Sequence, residues 1–220
     1  MSFQILGRDG ATLLEVDTLQ KAARISLRPI EYGSLGIYSI CAVTGVMAAG
    51  LAANSEIFQF RYTGSDVCLI REVTFDGLGG IAAFTAGAAS FQLFRAAGWS
   101  ADGSGGTALT LTGDNNKHKT SMVQSLSAVA TARGSSTAAL TAGTKTLNTN
   151  PMGSVVGGLT ATAGDKIPKA TLWTDAAGKH PCALVSQEGI VVRATVPATG
   201  TWTGGVSCVI EIVSSSVWAG

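Results

Sequence analysis

Two histidines, His118 and His180, are the residues of this 220-residue chain whose ordinary pKa suits acid–base chemistry near neutrality. His180 lies in "AAGKHPC", two positions before Cys182, and a thiol beside an imidazole is the minimal form of an activated nucleophile. Sequence neighbours need not face one another, and no nearby Asn or Asp completes a recognised triad. His118 lies in "GDNNKHKT" between Lys117 and Lys119. That stretch reads as a polar, solvated loop, with a local anion site as the alternative. No nucleophile elbow, HExxH helix, Walker loop or Rossmann fingerprint occurs. "GLGG" at 77–80 and "GSGG" at 103–106 lack the Lys-Ser/Thr ending that grips phosphate, and read as turns.

Metal and redox chemistry find equally little support. Cys41, Cys68, Cys182 and Cys208 are widely spaced and form neither a CxxC pair nor a Cys/His cluster. Cys68 in "VCLIREV" and Cys208 in "VSCVIEIV" have apolar surroundings, and all four are expected to be isolated, buried thiols. Asp102, Asp114 and Asp165 sit beside glycines without the dense acidic spacing of a calcium loop, so turn formation accounts for them. No catalytic residue, cofactor or metal is expected. Among the aromatics, Phe58, Phe60, Phe91 and Phe94 hold core-type positions, which leaves Trp173, Trp202 and Trp218 as contact candidates. Trp202 in "GTWTGG" is expected either to anchor a subunit interface or to cap the core.

The elements that must position these residues read as strands. "EIFQFRYTGSDVCLIREVTF", residues 56–75, alternates aromatic and β-branched residues around "TGSD" and predicts a β-hairpin. "GIVVRATV", "PATG" and "TWTGGVSCVIEIV" predict a second pair, and "ASFQLFRAAGW" a strand between them. The recurring "TAG" at 85–87, 141–143 and 162–164 punctuates short segments at irregular spacing. "SMVQSLSAVATAR", residues 121–133, has neither a strong cap nor an apolar stripe and does not support a helix. Many short strands between Gly, Ser and Thr turns predict an all-β, antiparallel, jelly-roll-like sandwich over residues 31–220. Residues 1–30 read as a separate N-terminal arm. It opens with "FQILG", "RDG" and "ATLLEVD", and in its last part Ala23, Ile25 and Leu27 alternate with Arg24, Ser26 and Arg28.

"YGSLGIYSICAVTGVMAAGLAANS", Tyr32–Ser55, carries no charged side chain and has the length of a membrane span. Its four glycines, its Thr, Ser and Asn residues, and flanking Glu31 and Glu56 without basic residues argue against one. It is expected to form a strand "GIYSICAV", a "TG" turn, and a small-residue segment laid close against another backbone. Charged residues make up 13% of the chain, and 15 Lys+Arg against 14 Asp+Glu give +1. So balanced a charge argues against a dedicated nucleic-acid or anionic-membrane binder. Sparse charge with 28 glycines suits a subunit covered by neighbours. "MSFQILGRDG" lacks the pattern of a signal peptide, so synthesis in the cytoplasm is expected.

From "RPIEYGSLGIYSICAVTGVMAAGLAANSEIFQFRY" through "FQLFRAAGW" and "ALTLTGDNNKHKTSM" to "HPCALVSQEGIVVRATVPATGTWTGGVSCVIEI", residues 28–213, the chain resembles a family of tailed-bacteriophage virion structural proteins. The resemblance implies a jelly-roll-like, non-enzymatic subunit of the particle. In that role it is a capsid decoration or cement protein, a homotrimer bound to the major capsid protein or other virion subunits. Related sandwiches also serve in tails, fibres and receptor-binding modules, which is the alternative. The arm is then expected to reach a neighbour by strand addition, with Phe3, Ile5, Leu13, Leu14, Ile25 and Arg28 as candidate interface residues.

Overall fold

The alternating segments fold as strands, and their apolar faces meet between two sheets. A computed structural model of the chain describes residues 16–17, 22–23, 34–48, 51, 53–122, 124–175 and 181–215. The chain divides into two units, Met1–Tyr32 and Gly33–Gly220. In the first, β1 (Val16–Asp17) pairs antiparallel with β2 (Ala22–Ala23).

In the second unit one sheet has the order β11-β5-β15-β3, built from β3 (Ser34–Val43), β5 (Val67–Ala82), β11 (Lys166–Ile167) and β15 (Thr201–Val213). β12 (Ala170–Thr174) and β13 (Cys182–Leu184) also pair with β5. The facing sheet has the order β10-β6-β14-β4-β8-β7. Its strands are β4 (Ser55–Tyr62), β6 (Gly87–Ala101), β7 (Thr107–Ala108), β8 (Ala130–Gly134), β10 (Gly153–Leu159) and β14 (Glu188–Thr195). β9 (Thr144–Leu147) completes it by pairing with β6. These sheets are antiparallel throughout and packed face to face, the β-sandwich that the alternation predicts.

The two predicted hairpins are not hairpins. β4 and β5 lie in different sheets: β4 pairs with β14 and β8, while β5 pairs with β15 and the short strands β11 to β13. "TGSD" is therefore an arch that carries the chain across the core. "PATG" does the same between β14 and β15, and Gly200 there takes a left-handed φ of 73° against the Phe84 ring. The physical reason is burial. Phe58, Phe60 and Tyr62 approach the same core cluster as Cys68 and Ile70, and both faces enter it only if the strands oppose one another through side chains instead of backbone hydrogen bonds.

At the centre, the Phe75 ring from one sheet stacks on Phe91 from the other at 3.9 Å between centroids, and Trp202 meets Phe91 edge-on at 5.7 Å. "ASFQLFRAAGW" lies within β6, whose Ala89, Phe91 and Leu93 face the core. Phe94 takes the opposite parity and packs beneath the Arg193 guanidinium. Ala96, Trp99 and Val191 form a second, smaller apolar cluster. Among the described residues of 121–133 there is a 3-10 turn, Leu126–Ala128, followed by β8.

The uncharged run from Tyr32 becomes β3, an edge strand. After it Met47 is fully buried, its N–H donating to the Trp202 carbonyl at 2.7 Å. The Ala48 N–H donates to Thr137 O at 3.0 Å, and a Cβ on Gly45 would fall 2.5 Å from Ser136 O, so residues 44–48 do lie close against other backbone. Among the described residues no helix is long and apolar enough to cross a membrane.

Candidate functional site

His118 ends a turn-rich segment that hooks onto the β3 edge. Its N–H donates to Ile37 O at 3.0 Å, the Ser39 N–H donates to Asn116 O at 2.8 Å, and Asn116 Nδ2 returns to Ser39 O at 2.9 Å. Asn116 manages this with a left-handed φ of 70°, a conformation its short amide side chain tolerates. The hook also brings His118 Nε2 within 2.6 Å of the Ser39 hydroxyl. A hydroxyl beside an imidazole is the nucleophile–base pair of acyl transfer. Here, however, both residues are exposed at a sheet edge, and no carboxylate among the described residues orients the ring. Lys117, expected in a solvated loop, is instead 6% exposed, its ammonium donating to Asp114 Oδ1 at 2.8 Å and to Met122 O at 2.7 Å. The geometry makes residues 114–122 a strap over the sheet edge.

His180 lies outside the described residues. Its neighbour Cys182 is buried in β13, where loss of solvation raises the thiol pKa. Burial likewise pushes Cys68 well above the ordinary thiol value and raises Cys208. These three thiols join one core cluster and are inert as nucleophiles. Cys41 departs from expectation: on edge strand β3 it is exposed, because its side chain has the parity opposite to core-facing Ile40 and Ala42. Asp102 accepts from Arg61 and Thr131, Asp114 from Lys117, and Asp165 from Thr160. Among the described residues no His, Cys, Asp and Glu group is arranged to hold a metal ion.

Two ionic networks were not anticipated from sequence. Glu56, 4% exposed at the start of β4, receives Lys145 Nζ at 2.8 Å, Gln59 Nε2 at 2.6 Å and Arg193 Nη2 at 3.4 Å. Lys145 also stands over the Trp99 ring, 4.6 Å from its centroid. The network ties the 141–145 segment to β4 and β14, and its members are spent on one another. The second network clamps Glu211 of β15, whose side chain is 0% exposed, and Asp175 between the arms of Arg71. A lone glutamate inside "CVIEIV" was the signal available: an isolated buried charge requires a partner. Sequence gives no address for that partner, since Arg71 is 140 positions away.

A shallow groove of about 510 Å³ crosses the sheet that holds β3. Gly77, Gly79, Gly204 and Gly205 floor it, and Val43 and the segment Lys166–Lys169 wall it. Its one acid, Asp76, accepts from Ser207 Oγ and pairs with Lys169 at 3.3 Å. Without an aromatic platform, and with its one acid already paired, the groove brings no reactive pair together.

Of the candidate interface residues, Phe3, Ile5, Leu13, Leu14, Ile25 and Arg28 lie outside the described residues, as does Trp218. Trp202 is 0% exposed within its own chain, so its ring caps the core and is not free to anchor a neighbour, a correction to the interface expectation. Trp173 is half-buried, with Nε1 donating to Ile70 O at 3.2 Å. No protein-family model matches the chain, nor does any curated protein or solved structure.

Proposed function

We propose that the chain is a non-enzymatic structural subunit of a tailed-phage particle, a decoration or cement protein that binds between neighbouring shell subunits and associates with copies of itself. The observation that carries this reading is the surface. With charge held to 13% of residues, strand residues Val43, Val156 and Ile81 stand 72%, 65% and 50% exposed. Meanwhile Glu56, Glu211, Arg71 and Lys145 are consumed in internal pairs. A surface so constituted is suited to being covered. The N-terminal arm supplies the reach: its alternating Ala23, Ile25 and Leu27 fit strand addition to a shell edge.

Co-sedimentation with purified, undecorated shells tests this. The full chain is expected to pellet with shells at a saturating, symmetry-related stoichiometry, and a chain lacking residues 2–28 to remain in the supernatant while keeping its β-type circular dichroism. Undiminished binding by the truncated chain contradicts the role of the arm. Failure of the full chain to bind contradicts the function.

A further inference from the structure

We infer that the open half of the β3 edge is a contact with a second copy of this chain, made by antiparallel pairing about a two-fold axis at Ala42. Along β3 the backbone groups point alternately to the two sides. The Thr44 N–H donates to Gly204 O, so the even-numbered residues serve β15. The odd-numbered ones face outward. Of these, Ile37 and Ser39 are covered by the strap through His118, Asn116 and Met122. The N–H and C=O groups of Cys41 and Val43 face the same way and have no partner among the described residues.

Open strand edges are ordinarily blunted with charge, proline, a bulge or a cover. β3 contains no charged residue and no proline, and its strap stops short of Cys41. The other flank of the sandwich is shut: β10 approaches β12 so closely that a Cβ on Gly153 would lie 1.8 Å from Leu172 O. The β7 edge is only 2 residues long.

A second copy fits because the free edge is its own complement. With Cys41 opposite Val43 of the other copy, each residue supplies one donor and one acceptor, and the two-fold satisfies both copies with the same residues. No like charges meet, since Tyr38–Thr44 is uncharged. Ala42, at the axis, is small enough for close approach. Val43 and Val46, 72% and 50% exposed, are the apolar side chains nearest the join in sequence.

This contact rests on the self-association in the proposed function and fixes its symmetry, because two-fold pairing makes dimers and does not make the trimer implied by the family resemblance. Light scattering of the full chain is expected to give twice the mass of one chain. A short bismaleimide is expected to join two copies through Cys41, the one exposed thiol, and Cys41→Ser to lose the product. Val43→Lys, which places like charges across the join, is expected to halve the mass while the β-type circular dichroism is kept. Amide exchange gives a readout independent of that variant: the Cys41 and Val43 amides are protected in the dimer. A monomeric or trimeric mass, a dimer indifferent to Val43→Lys, or immediate exchange at both amides overturns the contact. A monomer that still pellets with shells overturns the contact alone, and a dimer that does not pellet overturns the proposed function alone.

Discussion

At the scale of single residues, the charges that matter most are the ones withdrawn from solvent. Lys145 and Glu56 have side chains only 2% and 4% exposed, so each depends on the other for the solvation it has lost. Lys145→Ala leaves the Glu56 carboxylate facing Arg193 at 3.4 Å and is expected to cost about 3 kcal/mol in urea unfolding. Lys145→Ala combined with Glu56→Gln, which removes the stranded charge, should recover part of that loss. A single variant as stable as the parent would show that the pair is solvated. Glu56 shares the parity of Phe58, Phe60 and Tyr62, so alternation sets it on the aromatic face without showing what neutralises it there. The residues that bury it, Lys145 and Arg193, come from distant segments, and a sequence does not display that convergence.

At the scale of elements, glycine marks where backbones crowd. A Cβ on Gly153 collides with the Leu172 carbonyl, a backbone atom that cannot swing aside, whereas one on Gly158 in the same strand meets nothing within 4 Å. Gly153→Ala is therefore expected to destabilise the fold by about 2 kcal/mol or more, and Gly158→Ala to be neutral or to stabilise it by roughly 0.5 kcal/mol. Equal effects in thermal denaturation would refute the close approach of β10 to β12. The strands themselves were legible: β4, β5, β6, β14 and β15 all fall on alternating segments. Their partners were not. Period two reports which face is buried, and the same turn serves a hairpin or an arch, so "TGSD" and "PATG" read as hairpin turns in sequence and are arches in the fold. Of the three "TAG" segments two end on glycines with left-handed φ values, Gly143 and Gly164, whereas Gly87 of the third begins β6.

At the scale of the whole molecule, the core sets the response to pH. Burial raises the pKa of Cys68, Cys182 and Cys208, and of Tyr38, above the values these groups have in the unfolded chain. The folded state then holds its protons where the unfolded chain has released them. The stabilisation is complete below the ordinary thiol pKa of 9.0 and declines as pH rises from there toward the folded values. Each fully buried thiol contributes a slope of roughly 1.4 kcal/mol per pH unit over that window. Urea unfolding at neutral pH and near pH 10 should show the loss, and a flat profile would mean that the thiols ionise within the fold.

The same scale carries the functional claim, that this sandwich holds neighbours together on a phage particle. The all-β class was readable from turn spacing and alternation, while the particle enters only through resemblance and a surface suited to being covered. Electron cryomicroscopy of the particle encoded with this chain tests the claim most directly. The expected result is sandwich density at symmetry-related positions on the outer shell, with residues 1–28 extended along a neighbouring subunit. Particles that lack the protein, or carry it only at a tail tip, would contradict it.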